Sequence, residues 1–416
     1  MALQGTAGTV APVFEVADAT PEDHDGILAL TIAAFGASDE PGVRLRLDGP
    51  QADVARWTVV RHDGRVVSCS TLLPFSLRLD GLDLPAGQIE FVASDPACQR
   101  QGLIRRQFEV HHRRSAEAGH VIQLIGGIPY VYRRFGYGYG ISHPDLFHVR
   151  AGELTPDPSV EITPLTGDDL AALGGGAIDR GRARTGLSTD HHAALARRLW
   201  MARWADAPNS GPERLFVARR GGAIAGLLAL TLWASEQRAL AVPSHTADRG
   251  VSDALVSHAL DEAGDFEVVL QDTPGSDWSA HLQAVGTWWG PWLGLYCRIP
   301  DPVAFLQVVR PLLSARLAAS PLASAAGEVT ISLYNDAVRL AYAGGEVTDV
   351  ARADPIEDPF EDGEAGVAPD WFPALVLGRW GAVGLEERID DVTLGPHRQL
   401  LEILFPARPA DVVDGF

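Results

Sequence analysis

Apolar and polar residues alternate with period two over several short stretches of this chain and follow the helical period over others. Mixed strands and helices are therefore the first expectation. A short strand, Val13 to Val16, precedes Thr20-Pro21-Glu22-Asp23. There Thr caps a helix, Pro takes its first position and the acids favour the positive helix end, so a helix should run to about Phe35. Trp57 to His62 and Arg65 to Ser70 flank Asp63-Gly64, a favoured two-residue hairpin turn. Further strands are expected at about Ser76 to Leu79 and Gln88 to Ser94.

The hairpin recurs at Leu215 to Arg220, Gly221-Gly222 and Ala223 to Leu228, and the stretch Thr163 to Leu170 loosely repeats the capped helix entry. Internal duplication follows from this pair. The two related halves meet near residue 155. After Pro300-Asp301-Pro302 the pattern changes to an amphipathic helix (Val303 to Leu317), short strands between Val329 and Val350, an acidic loop (Asp354 to Glu364) and two more helices. The expected fold class is α/β (α+β), with two mixed-sheet domains at 1–154 and 155–299 and an α+β domain at 300–416.

Composition narrows the class. The 416 residues are 46% apolar and 21% charged, as in globular proteins rather than disordered ones. No apolar run reaches the roughly 18 residues of a membrane span. The first twenty residues lack a basic leader and a long apolar segment, so a cytoplasmic location is expected. Cys69, Cys98 and Cys297 are odd in number and far apart, which argues against disulfides and zinc, and no metal is expected. All 34 basic residues are Arg, which excludes lysine Schiff-base chemistry. A net charge of -20 makes nucleic acid a poor partner and mildly favours cationic, amine-bearing ligands.

Candidate chemistry sits between Phe91 and Gly138. Ser94-Asp95-Pro96-Ala97-Cys98-Gln99-Arg100-Gln101-Gly102-Leu103-Ile104 links a strand to a helical run, Arg105 to Ala118. Such a glycine-bearing loop points free N–H groups and the positive helix end at an anion. Pyrophosphate is the natural occupant, with Arg100, Arg105 and Arg106 adding charge. The strand His120 to Ile125 then runs into Gly126-Gly127-Ile128-Pro129-Tyr130-Val131-Tyr132-Arg133-Arg134-Phe135-Gly136-Tyr137-Gly138.

This ordered pair of motifs resembles the GNAT superfamily of acetyltransferases. There the first motif cradles the CoA pyrophosphate and the second supplies a tyrosine beside the thioester sulfur. A tyrosine with an unperturbed pKa of about 10 is a reasonable proton donor to a departing thiolate. Phe91-Val92-Ala93 before the loop, Gly102-Leu103-Ile104-Arg105 within it and Tyr132 to Gly138 after it narrow the resemblance to the enhanced intracellular survival (Eis) family. Its members join two GNAT-like domains to a C-terminal domain resembling sterol carrier proteins. The resemblance implies acetyl-CoA as co-substrate, multi-amine acceptors such as aminoglycosides, polyamines or lysine side chains, and a hexamer. By the same mapping Tyr132 is the general acid and the terminal carboxylate of Phe416 the base. Acetyl-CoA would meet Phe91, Val92, Ala93 and Ser94 along the strand, then Arg100, Gln101, Gly102, Leu103, Ile104 and Arg105 in the loop, and Gly127 with Ile128 beyond. Glu90 stands where a small residue is usual, and either a base or a substrate-binding role is open to it.

The second half offers only Ala247-Asp248-Arg249-Gly250-Val251, whose acid would repel pyrophosphate, so it is expected to bind no CoA. His111-His112 and His191-His192 cannot converge on one metal and read as solvated helix residues. Trp288, Trp289 and Trp292 read as core packing. The alternative function is a non-catalytic acyl-CoA or lipid-binding protein that uses the C-terminal domain.

Overall fold

The computed structural model describes residues 13–173, 186–204, 213–233, 236–246, 248–272, 277–291 and 294–412. The chain divides into two compact units, Met1–Leu73 with Ile89–Ala118, and Pro74–Gln88 with Gly119–Phe416.

The first unit opens with β1 (Glu15–Asp18), α1 (His24–Phe35) and α2 (Glu40–Leu47). At the entry to α1 the Asp23 carboxylate accepts the Thr20 N–H at 2.8 Å and is itself held by Arg61 Nε at 2.9 Å, so the capping pattern is tied to the sheet. The hairpin joins β2 (Arg56–His62) to β3 (Arg65–Leu79) through Asp63 (φ 50) and Gly64 (φ 75), both left-handed as the tight turn demands. β3 is longer than expected: Arg65 to Ser70 and Ser76 to Leu79 belong to one strand, which runs through Pro74 into the second unit. β4 (Leu82–Ser94) likewise begins in the second unit and ends in the first, where it leads to α3 (Leu103–Glu117). Ile27, Val43, Trp57, Val59, Cys69 and Ala93 form the core under this part of the sheet.

Three sheets meet in the second unit. Beside the start of β4 lie β5 (Ile122–Ile125) and β6 (Gly138–Ile141); a second sheet contains β7 (Asp145–His148) and β8 (Val160–Pro164). β9 (Leu187–Thr189) pairs with the end of β3, from Leu77↔Thr189 to Leu79↔Leu187. β10 (Glu213–Arg220), β11 (Ala223–Trp233), β12 (Arg238–Ser244), a helix (Arg249–Ala263), β13 (Glu267–Gln271), β14 (Thr287–Pro291) and β15 (Leu295–Arg298) follow. Apart from an added helix (Asp277–Val285) between β13 and β14, this is the succession of elements seen from β2 onward, as the repeated hairpin suggested.

Strand pairing departs from the sequence division at 154/155 and 299/300. The second sheet runs β14-β7-β13-β12-β11-β10-β8, so β7, from the first half, lies between two strands of the second. Conversely β15, from the second half, lies between β5 and β6, with Tyr296↔Ile125 on one side and Tyr296↔Tyr139 on the other. Each half gives its last strand to the other's sheet. The backbone groups of β5 and β6 must be paired, and β15 satisfies both edges at once.

The remaining strands, β16 (Ala326–Ser332), β17 (Ala337–Ala343), β18 (Glu346–Ala353), β19 (Ala365–Val367) and β20 (Val392–Thr393), form the third sheet in the order β18-β17-β16-β19-β20. A helix (Pro302–Ala318), capped by the Asp301 carboxylate on the Val303 and Ala304 N–H groups, packs on it. Its core is continuous with that of the first sheet: Leu77, Leu84, Ile122, Leu124, Leu295 and Cys297 share one cluster with Phe305, Phe372 and Phe405. Each of those buried phenylalanines contributes about 2 kcal/mol by removal from water. Gly138 of β6 is a close-approach point, since a Cβ there would stand 1.6 Å from the Asp370 carbonyl oxygen.

Near the C-terminus, β21 (Ala410–Asp411) adds to β9, Ala410↔Leu187 and Asp411↔Ser188. Asp80 anchors this region by accepting from Arg316 at 2.7 Å, Arg408 at 3.0 Å and the Gly186 N–H at 2.6 Å.

Candidate acetyl-CoA site

In the first unit the site begins where β4 loses its regular pleat. Phe91 has φ 51, which a bulky side chain adopts only when its surroundings hold it there. They do. Its ring stacks on Trp57 at 6.0 Å, meets Phe35 edge-on at 6.2 Å and lies under the Arg46 guanidinium at 5.2 Å. Glu90, one residue earlier, is buried and receives Arg46 Nε at 2.6 Å. The Glu90 carboxylate therefore already carries a cation, which leaves it poorly placed to bind a second.

Between β4 and α3 the chain makes two left-handed residues, Arg100 (φ 62) and Gly102 (φ 72), on either side of Gln101. Alternation of hand turns successive N–H groups toward one side, the geometry of an anion nest. Gly102 caps α3 without any side-chain hydrogen bond, and a Cβ there would meet nothing within 4 Å. The first intrahelical bond into Gly102 comes from the Arg106 N–H at 3.2 Å, so the N–H groups of Leu103 and Ile104 have no acceptor within the helix. Arg100, Gln101 and Arg105 are exposed around this end. Asp95 does not oppose the site: its carboxylate caps the short turn after it by accepting the Ala97 N–H at 2.9 Å and pairs with Arg65 at 2.9 Å.

Beneath the loop lies a buried polar chain. Ser94 Oγ is 2.6 Å from Ser68 Oγ, which receives Gln107 Nε2 at 2.6 Å. Ser70 Oγ donates to Gln107 Oε1 at 2.6 Å and stands 2.8 Å from His111 Nε2. His111 is thus a core residue and not the solvated one expected, because it shares the sheet-facing stripe of α3 with Leu103, Gln107 and Ser115. Burial, with the nearby Arg114 and His112, pushes its pKa down to about 3.

In the second unit, β5 leads into the glycine turn. Gly127 has φ 130, and a Cβ on it would lie 3.1 Å from Tyr132 Cε2 and 3.3 Å from Tyr132 Oη. The phenol of Tyr132 thus rests against the Gly127 backbone, next to exposed Ile128. A short 3-10 turn, Tyr132–Phe135, ends at left-handed Gly136 and fixes this placement. Tyr132 is only 7% exposed, and burial followed by the neighbouring Tyr296 raises its pKa to about 12. It is neutral across the working pH range and presents a hydrogen-bond donor.

The predicted residues fall into two groups of neighbours. Glu90, Phe91, Val92, Ala93 and Ser94 lead directly into the loop from Arg100 to Arg105, while Gly127 and Ile128 adjoin Tyr132. Phe416 lies outside the described residues, which end with the buried Val412. Sequence reading missed Arg46 and Tyr296. Nothing local marks either: Arg46 alternates with Arg44 in Val43-Arg44-Leu45-Arg46-Leu47, and only the fold shows that it is the buried one. At the matching helix in the second half, the Asp248 carboxylate accepts the Val251 N–H at 3.1 Å and Arg220 Nη1 at 2.6 Å, so the helix end is filled by the chain's own acid. Trp288 and Trp289 are 58% and 39% exposed on the edge strand β14 and do not form the core packing expected of them. Trp292 lies outside the described residues.

Residues 15–140 match the acetyltransferase (GNAT) domain family, and this stretch, with its β4 break, nest and tyrosine turn, is a GNAT domain. Within that class its sequence is similar to that of Eis proteins. The N-acetyltransferase Eis of Mycobacterium tuberculosis is 30% identical over 136 residues, which cover 29% of this chain and 31% of that protein. The match therefore spans about a third of the curated relative. The whole fold is shared more widely. A probable N-acyltransferase of unknown function from Enterococcus faecalis superposes with TM-score 0.70 at 13% identity, over 97% of this chain and 100% of that one. Eis1 from Mycobacterium abscessus does so with TM-score 0.61 at 16% identity, over 97% and 100%. At such identities these structures speak for the fold alone.

Proposed function

We propose that the chain is an acetyl-CoA-dependent N-acetyltransferase acting on amines of a cationic, multi-amine acceptor. The observation that carries the reading is the Arg100-Gln101-Gly102 nest opening an uncapped helix, where pyrophosphate finds N–H donors and a favourable dipole. Phe91, Val92, Ala93 and Ser94 would bond the pantetheine arm along the strand. Arg105 adds charge to the phosphates, and Gly127 with Ile128 lies against the thioester end.

Transfer proceeds by direct attack in a ternary complex. The acceptor amine, once deprotonated, forms its bond to the thioester carbonyl carbon. The C–S bond then breaks, and the electron pair leaves on sulfur. Tyr132 donates its hydroxyl hydrogen toward that sulfur. With a phenol at about 12 and an ordinary thiol at about 8.5, complete transfer from tyrosine is uphill. Hydrogen bonding in the transition state is then the larger part of its effect, and the proton released by the amine restores neutrality. Acceptance of cationic substrates is favoured by the net charge of -20.

The base in this reading is the Phe416 carboxylate. Support comes from β21, which brings the chain to Asp411 beside β9 and, through it, the end of β3. We also assign the domain at 300–416 to the sterol-carrier-like class, expect a cytoplasmic hexamer, and expect no CoA in the second half. CoA release measured across a panel of aminoglycosides, polyamines and lysine peptides tests the function. Turnover with at least one, abolished by neither buffer nor chelator, is expected. Absence of acetyl-CoA binding in calorimetry would sink the reading. Deletion of Phe416 should lower kcat about 10-fold or more, as loss of a general base does.

A further inference from the structure

In the second half the matching helix end is filled by the Asp248 carboxylate, yet the last strand of that half completes the sheet that carries the Tyr132 turn. The side chains of β15 reach both ends of that turn. Tyr296, fully buried, accepts the Tyr130 N–H on its hydroxyl at 2.6 Å. Its ring meets the Tyr132 ring edge-on, 5.7 Å away at 75°, and stacks on Tyr139 at 4.1 Å. Two residues on, Arg298 Nη1 donates to Gln123 Oε1 at 2.8 Å, and its Nε would stand 3.3 Å from a Cβ on Gly136. Tyr130 has particular need of a partner. Its φ of 66 is strained for an aromatic residue, and although the Arg133 guanidinium lies over its ring at 5.1 Å, the residue is 73% exposed, so the N–H bond to Tyr296 is its buried anchor.

We propose that Tyr296, delivered by the second half, is a positioning residue for acetyl transfer: it anchors the Tyr130 N–H and braces the Tyr132 ring, and so fixes the direction of the Tyr132 hydroxyl. This rests on the acetyltransferase reading given above. The Tyr132 phenol rests against the Gly127 backbone, and its ring meets the Tyr296 ring edge-on. A catalytic group misplaced by about 1 Å can lose about 10²-fold in rate without loss of binding. The second half is thereby necessary to the first. Its contribution is a strand and a phenol.

Tyr296→Phe keeps the ring and removes the acceptor. The expected result is a kcat about 10-fold to 100-fold lower, with the KM and calorimetric Kd for acetyl-CoA within about twofold of the unaltered protein. A double-mutant cycle then asks whether Tyr296 acts through Tyr132. In a Tyr132→Phe background, addition of Tyr296→Phe should change kcat by less than about twofold. An equal proportional loss in both backgrounds would assign Tyr296 a general structural role and overturn the proposal. So would a Tyr296→Phe enzyme as fast as the unaltered one. Should Tyr296→Phe fail to fold, Tyr139→Leu takes its place: it removes the ring stacked behind Tyr296, and the same cycle against Tyr132→Phe decides. If the unaltered protein binds no acetyl-CoA and acetylates no amine, the acetyltransferase reading falls and this inference falls with it. Turnover in the unaltered protein without coupling between the two tyrosines removes this inference alone.

Discussion

Tyr132 and His111 are both held away from water, and burial moves their protons in opposite senses. For Tyr132 it favours the neutral phenol, the form the proposed reaction needs as a donor. Tyr132→Phe should lower kcat by about 10² to 10³ while leaving acetyl-CoA affinity within about twofold, measured by CoA release and calorimetry side by side. For His111 burial favours the neutral imidazole, with a folded pKa of about 3 against about 6.5 unfolded. The unfolded chain therefore binds a proton that the folded one refuses. Stability is complete above about pH 6.5 and falls as pH drops from there toward 3, by at most about 5 kcal/mol. His111→Gln, which can still meet Ser70, should flatten the slope of urea-derived stability between pH 6.5 and 4. An unchanged slope would place the acid sensitivity elsewhere.

Arg46 shows what sequence could not reveal at this scale. Glu90 stood out as an acid in a strand, but its partner is 44 residues away on a helix that the apolar pattern did not announce. Removing one member of a buried pair strands the other, so Arg46→Met should cost about 3–5 kcal/mol, read as a fall in thermal midpoint.

Among elements, the hairpins, the capped first helix and the loop into α3 were legible because each is written locally in turn chemistry and periodicity. Gly102 is the clearest case: its φ of 72 admits glycine, and Gly102→Ala should cost about 1–2 kcal/mol and weaken acetyl-CoA binding about 10-fold by calorimetry. The destinations of β7 and β15 were illegible. Each is a four-residue strand that would fit either sheet, and only pairing across distant segments decides. His111 was misjudged for a related reason, since its neighbour His112 shares its chemistry and only the angle around α3 separates core from surface.

For the molecule as a whole, the third region does not stand apart. Its core runs into the first sheet through Leu295, Cys297, Phe305 and Phe372, and Asp80 ties Arg316 and Arg408 to the same place. Asp80→Asn leaves two guanidinium groups without their carboxylate, and loss of about 3 kcal/mol is expected in urea titration. The pattern of elements along the chain suggested three regions in order, and it gave no hint that the third shares a core with the first sheet.

The exchange of β7 and β15 also sets an order of events during translation. When residues up to Ile141 have left the ribosome, the gap between β5 and β6 has no strand to fill it, and none is available until Arg298 has been made. At about 5–20 residues per second that interval lasts on the order of ten seconds or more. Through it the nascent chain carries two unpaired strand edges, the feature most prone to foreign pairing. Chaperone demand should therefore be greatest in that window, and a chain stalled between residues 142 and 295 should aggregate where one stalled shortly after 300 does not.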